Sequence, residues 1–234
     1  MRIPPEIEAR ARSIVYGGDW TPPPYRSAAT LALLRDGPDG LQVALMQKAL
    51  GFARGMYVFP GGALDEADSR LGDPWPVAAI RETFEECGVL LCEPPVSGDL
   101  APLRGRDFEQ VLTDLGAAPA VGSLHPFAHW VTPEVESRRF DTRFYAAALP
   151  AGQDLGEVTA EHDAVGWFSP GEALELRILP PTAAVLAELR AFDDVASALA
   201  PQRSPTPVMP APIPDGDGGI TWMLVNAYTG EKMS

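Results

Sequence analysis

The sequence is poor in cysteine, in cations and in histidine, and each scarcity excludes something. Cys87 and Cys92 are its only two cysteines among 234 residues. They are too few for a disulfide framework or a zinc knuckle, and point to a reducing, intracellular setting. Lys and Arg together number 18 against 32 Asp and Glu, a formal charge of −14. So acidic a chain is a poor match for a nucleic-acid polymer, whose phosphate backbone demands a basic surface. A small phosphorylated ligand remains compatible, because a divalent cation and a few arginines neutralise it locally. No apolar run approaches the roughly 18 residues of a membrane span. Met1 to Tyr16 carries charges throughout and has no apolar signal-peptide core, and the C-terminal Glu231-Lys232-Met233-Ser234 matches no receptor-read address. These absences predict a soluble cytoplasmic protein with neither membrane nor polymer as partner. Of the three histidines, His125 and His129 are separated by the helix-breaking Pro126 and lack a third ligand, which argues against zinc. His162 is expected on the surface. The serines lack a nucleophile-elbow context.

What the chain does have is a dense acidic motif, Arg81-Glu82-Thr83-Phe84-Glu85-Glu86-Cys87-Gly88-Val89. On a helix turning about 100° per residue, Glu82, Glu85 and Glu86 share one side, and Val77, Ile80, Phe84 and Cys87 face nearly opposite. Like charges at these spacings repel by a few tenths of a kcal/mol per pair. A hard, oxygen-seeking cation such as Mg²⁺ reverses that sign. Asp73 followed by Pro74 is a strong helix start and Gly88 a strong stop, so the helix is predicted over 74–87.

Around it the patterning alternates. A helix opens at Pro4-Pro5 and stops near Gly17-Gly18. Strands are predicted over 27–35, 41–47 and 57–59, the last ending at Pro60-Gly61-Gly62, and 63–72 reads as loop. A helix over 107–115 follows, then strands at 127–131, 144–149 and 164–168, a short helix capped by Ser169, and a helix over 182–192. The Pro/Gly-dense stretch 201–219 is predicted to be a linker arm, followed by a final strand over 220–225. The division is then an N-terminal extension (1–26), a body (27–199), and an arm with its terminal strand (200–234).

The acidic motif resembles the signature of the Nudix hydrolase family: Gly, five residues, Glu, seven residues, Arg-Glu, an apolar residue, any residue, Glu-Glu, any residue, Gly, an apolar residue. Arg81-Glu82, Glu85-Glu86, Gly88 and Val89 occupy its second half, with Thr83 in the first apolar slot, and Phe59-Pro60-Gly61-Gly62 resembles its opening. The spacing departs from the pattern. Eighteen residues separate Gly62 from Arg81 where the family has thirteen, so five are inserted. Asp68 or Asp73, rather than Glu, falls in the lone acidic slot, depending on which end the count starts from.

The resemblance implies an α/β (α+β) fold, the Nudix α/β/α sandwich with a mixed sheet. It implies metal-dependent hydrolysis of a diphosphate bond in a nucleoside diphosphate linked to another moiety. Gly61, through its backbone carbonyl, with Glu82, Glu85 and Glu86 would hold Mg²⁺ or Mn²⁺; one glutamate would serve as general base, and Arg81 would orient a glutamate. Trp130-Val131-Thr132-Pro133, Arg139-Phe140-Asp141-Thr142 and Phe144-Tyr145 are similar to the subgroup related to the peroxisomal acyl-CoA diphosphatases, which favours CoA or acyl-CoA. A separate CoA motif of the family is matched at Gly55 and 59–62, but Gly51 stands in its arginine slot. ADP-ribose or NADH-type substrates are the alternative, and a non-catalytic ligand-sensing domain is another. Arg138, Arg139 and Phe140 are candidates for substrate contact, and Glu161 for an extra metal or base position.

Overall fold

The computed structural model describes residues 3–50, 53–157, 160 and 162–233. Gly51 and Glu161, both singled out above, lie outside the described residues. The chain divides into two compact units. One comprises 28–127 and 143–204, the other 1–27, 128–142 and 205–234.

In the first unit, β1 (Tyr25–Gly37) and β2 (Gly40–Lys48) form an antiparallel hairpin closed at Gly37↔Gly40. β3 (Tyr57–Val58) and β9 (His162–Phe168) both pair antiparallel with β2. β4 (Gly61–Ala63) and β8 (Arg139–Ala148, which enters this unit at Arg143) flank β1. Residues 28–34 of β1 are buried without a break. Alternate strand residues face opposite sides, so unbroken burial means that both faces are covered. Ala29, Leu31 and Leu33, with Ala44 and Met46 of β2, share a core with Val77, Ile80, Phe84 and Cys87 of α3 (Pro74–Cys87). α5 (Pro170–Leu174) packs on β2 and β9 and on α6 (Pro180–Leu189), whose Val185, Leu186 and Leu189 are buried. The α+β architecture with helical layers around a mixed sheet is therefore present. Burying one side chain the size of Phe84 or Ile80 stabilises by about 1.5–3 kcal/mol, which fixes α3 on the sheet.

Local rules account for most elements. Asp73 accepts from Trp75 N at 3.3 Å and Gly88 closes α3 in the left-handed conformation at φ 75°, as predicted. β5 (Cys92–Glu93) and β6 (Ala118–Pro119) form a separate antiparallel pair, and between them in the chain α4 (Phe108–Leu115) starts at its Asp107 cap and ends at Gly116. The predicted loop 63–72 instead contains a one-turn helix, α2 (Asp68–Leu71). A short helix, α7 (Val195–Leu199), appears where none was predicted.

In the second unit, α1 (Pro5–Tyr16) lies against a hairpin of β10 (Val208–Pro214) and β11 (Ile220–Asn226). The linker prediction for 201–219 is corrected here. Pro210, Pro212 and Pro214 alternate, so the N–H groups they lack all belong to one edge of β10. Met209, Ala211 and Ile213 keep theirs for β11, opposite Val225, Met223 and Thr221. Alternating prolines thus blunt one edge of the strand without unmaking it. The blunted edge is joined only at Val208↔Trp130, by a parallel pairing with β7 (His125–Val131) among the described residues.

Candidate active site

The glutamates of α3 project from the end of the helix opposite its Asp73 cap. Thr83, in the motif's apolar slot, is fully buried because its hydroxyl donates to Ala79 O at 2.7 Å, one turn back. A hydroxyl satisfied by its own helix packs like an apolar group. Cys87 Sγ lies 3.3 Å from Met46 Sδ on the core side, where burial pushes its thiol up to about 12.

Arg81 is the hub of the exposed side. Its Nε and Nη2 donate to the two carboxylate oxygens of Asp68 at 2.9 and 3.1 Å. Nη1 donates to Glu82 Oε1 at 2.8 Å and Glu85 Oε2 at 3.2 Å, and Nη2 also reaches Ala63 O at 3.1 Å. The bidentate partner is thus Asp68, with single bonds to the glutamates. Asp68 is 1% exposed and also accepts from Asp65 N at 2.7 Å, whereas Asp73 caps α3 by accepting from Trp75 N. Of the two aspartates competing for the acidic slot, Asp68 is the one inside the cluster.

Gly61 and Gly62 of β4 close the site from the sheet side. Gly61 N donates to Glu86 Oε2 at 2.8 Å. A Cβ at Gly61 would meet Ala29 O at 2.5 Å, and one at Gly62 would meet Glu82 Oε1 at 2.4 Å. A side chain at Gly61 would have to move strand backbone, whereas one at Gly62 would push aside the Glu82 carboxylate laid against it. His162 Nε2 stands 3.4 Å from Glu86 Oε1. At 3% exposure this histidine is buried, not on the surface as predicted. Its place at the start of β9, facing α3, has no signature in the sequence.

One guanidinium thus bonds three carboxylates, those of Asp68, Glu82 and Glu85, while Glu86 is held by Gly61 N and faces His162. Burial pushes the Glu82 and Glu85 carboxyls up; Arg81 opposes this, and neighbouring acids reinforce it. Burial acts to lower the Arg81 pKa, but Asp68 and Glu82 outweigh it and hold the guanidinium more firmly charged than usual. The donor set is all hard oxygen, the kind Mg²⁺ and Mn²⁺ prefer, and it carries surplus negative charge. Among the described residues no three acidic, His or Cys side chains converge closely enough to hold an ion as they stand. Glu82 and Glu85 are instead turned to Arg81. Each bonds Arg81 through one oxygen, so a cation would take the other oxygen or displace an arginine that Asp68 keeps anchored.

The remaining predicted contacts lie in the other unit. Arg139, expected to reach phosphate, is 8% exposed and spends its guanidinium on structure. It donates to Thr132 O and Pro23 O, both at 3.1 Å, and Nη2 lies 3.6 Å from Met209 Sδ. Phe140 is half-buried, with its N–H on Thr132 Oγ1 at 3.0 Å, and Arg138 is exposed. His129 pairs with Asp141 at 2.5 Å, and Tyr228 Oη donates to Asp141 at 2.6 Å.

Comparison with known proteins follows the same lines. The family model described as the NUDT19 Nudix domain matches residues 74–179. The human acyl-coenzyme A diphosphatase NUDT19 is 28% identical over 250 residues, covering 75% of this chain and 65% of that protein. Putative nudix hydrolase 7 of Caenorhabditis elegans is 28% identical over 162 residues, 64% of this chain and 54% of its own length. The chain therefore spans less than two thirds of these curated relatives. The crystal structure of a NUDIX hydrolase from Alicyclobacillus acidocaldarius superposes with a TM-score of 0.68 at 32% identity, covering 76% of this chain and 96% of that one. The NUDIX domain of Shewanella oneidensis NrtR, solved with ADP ribose, shares the fold at 14% identity and a TM-score of 0.51, over 72% of this chain and 88% of that one.

Proposed function

The chain belongs to the Nudix hydrolase family, and from that premise we propose that it is a metal-dependent diphosphatase acting on CoA or an acyl-CoA. The observation that carries this reading is the cluster itself. Glu82 and Glu85 bond an arginine anchored by a buried aspartate, and a glycine N–H pins Glu86, one residue on along the same helix. We take 27–199 as the hydrolase body, with 1–26 and 200–234 as additions. The choice of CoA-type substrate is supported by the similarity to the acyl-coenzyme A diphosphatase, whose name states that activity.

In this reading the carboxylates of Glu82, Glu85 and Glu86, with the carbonyl of Gly61, would hold Mg²⁺ or Mn²⁺. When bound, the ion supplies charge neutralisation at the diphosphate and lowers the pKa of the water it carries. The protein's own residues do the rest. Gly61 N–H fixes Glu86 Oε2 and so sets the direction of the other carboxylate oxygen. Arg81, held by Asp68, limits how far Glu82 and Glu85 can swing. One glutamate of this set would accept the proton lost by the attacking water.

Among the described residues no helix is long and apolar enough to cross a membrane. A reducing compartment, the cytoplasm in our reading, suits two buried free thiols. The test is product identification with Mg²⁺ or Mn²⁺ on CoA, acyl-CoA, ADP-ribose, NADH, dinucleoside polyphosphates and dNTPs, with Glu86→Gln as control. The reading expects 3′,5′-ADP and a 4′-phosphopantetheine product from CoA, lost on chelation and in the variant. Preferred cleavage of ADP-ribose or NADH would replace the substrate assignment. No turnover on any compound would leave a ligand-sensing domain as the better description.

A further inference from the structure

The last four carbonyls of an α-helix have no partner within the helix. In α3 they belong to Phe84, Glu85, Glu86 and Cys87, so two sit on the residues whose side chains form the acidic cluster. The outer two are closed by backbone: Gly88 N donates to Phe84 O at 2.9 Å, and Gly156 N to Cys87 O at 2.7 Å. The inner two are both taken by one side chain. Arg104 Nε and Nη2 reach Glu85 O at 3.2 and 3.1 Å, and Nη2 reaches Glu86 O at 2.5 Å. Its Nη1 donates to Glu157 O at 2.6 Å. One guanidinium therefore ties the last turn of α3 to the segment that leads into β9, where His162 faces Glu86.

Small residues make room for this contact. A Cβ at Gly156 would stand 3.1 Å from Arg104 Nη1 and 3.2 Å from Cys87 O, and one at Gly88 would stand 3.4 Å from Arg104 Cδ. A cation at a helix C-terminus is also favoured by the macrodipole.

We propose that Arg104 is a positioning residue of the metal site. It sets the backbone at Glu85 and Glu86, and the approach of the 153–157 segment, so that the α3 carboxylates are presented to a divalent cation at fixed spacing. The inference rests on the metal-dependent reading above. Helix capping alone does not require this arrangement, since water can satisfy carbonyls at a partly exposed helix end. A fork that spans two helix carbonyls and a third from another segment adds fixed geometry. Groups that orient ligands from outside the coordination sphere commonly account for about 10- to 100-fold in metal affinity or activity.

The test is Mn²⁺ binding to the full chain without substrate, read by electron paramagnetic resonance of the free ion, beside melting temperature, kcat and KM. Arg104→Met keeps the bulk and removes the fork. It is expected to weaken Mn²⁺ by about 10- to 100-fold and to lower kcat more than it changes KM. Arg104→Lys, whose single ammonium cannot span three carbonyls, is expected to bind Mn²⁺ with intermediate affinity. Val185→Ala, a core truncation in α6, is the stability control and is expected to lower the melting temperature with Mn²⁺ affinity unchanged. Wild-type Mn²⁺ affinity in Arg104→Met overturns the proposal, as does an equal loss in Val185→Ala. If Arg104→Met does not fold, Arg104→Lys decides, and wild-type affinity in that variant overturns it. A wild-type chain that binds no Mn²⁺ overturns the metal reading and this inference together; binding unaffected by Arg104 overturns this inference alone.

Discussion

Replacing Asp68 by Asn separates the two aspartates that competed for the acidic slot. Asp68 is 1% exposed in its side chain, and its partner Arg81 is 12% exposed. The change keeps shape but removes the charge that takes two of Arg81's donors at 2.9 and 3.1 Å. Removing one partner of a buried ion pair typically costs about 3–5 kcal/mol, because the other charge stays behind. Here Arg81 keeps Glu82, Glu85 and Ala63 O, so the cost should fall below that range, at about 2–3 kcal/mol. For a chain of this size that corresponds to a melting temperature lower by about 4–12 °C. The freed guanidinium would turn wholly to Glu82 and Glu85 and compete with a cation for them. kcat/KM should therefore fall by about 10- to 100-fold, with partial recovery at high Mn²⁺. Asp73→Ala is the comparison. It removes an exposed helix cap, should cost about 1 kcal/mol, and should leave kcat/KM near wild type. Thermal melts and initial rates over a Mn²⁺ series decide it. Asp68→Asn with wild-type kcat/KM, or Asp73→Ala with the larger loss, would refute the reasoning.

Gly62→Ala should cut kcat at least about tenfold at a stability cost near 1 kcal/mol, because its Cβ would displace the Glu82 carboxylate rather than backbone; equal activity in the two proteins argues against the site. Cys87, with its thiol pushed up to about 12, should resist iodoacetamide at pH 8 in the folded protein and react on unfolding, a difference mass spectrometry resolves. The metal-free protein should respond to acid in a specific direction. Burial raises the Glu82 and Glu85 carboxyls, so the folded state holds more protons than the unfolded one between the ordinary carboxylate range and their raised values. Stability should therefore increase as pH falls through that window, and less so in a Glu82→Gln, Glu85→Gln variant. Mn²⁺ binding should show the opposite trend, tightening as pH rises, because the ion displaces those protons; calorimetry in buffers of different ionisation enthalpy would detect the released protons.

Within α3 the sequence was nearly sufficient. Its cap, first-turn proline, apolar stripe and terminal glycine are local signals, each readable within a few residues, and the observed Pro74–Cys87 matches the predicted range. The spacing of Glu82, Glu85 and Glu86 on one side follows from the same periodicity. Thr83 looked like a break in the apolar pattern, and a hydrogen bond one turn back explains why it is not. The partners of these residues were another matter. Asp68 and Asp73 could not be told apart by counting, because an insertion of five residues erased the register; only folding placed Asp68 against Arg81.

His162, Arg104 and Arg139 show the limit most clearly. Isolated, each is a polar residue with a surface default. Burial and pairing across 53 residues from Arg104 to Glu157, or 116 from Arg139 to Pro23, are decided by how strands and segments meet. The prolines of β10 mark the same boundary from the other side, since their composition reads as linker until β11 supplies a ladder for the alternate N–H groups. The extent of α3, its acidic face and the family resemblance are legible in the order of residues, because helix caps, periodicity and motif spacing are short-range properties. Which charges meet those glutamates depends on the folded chain, because a charge's partner is set by distance in space, which the order of residues does not encode.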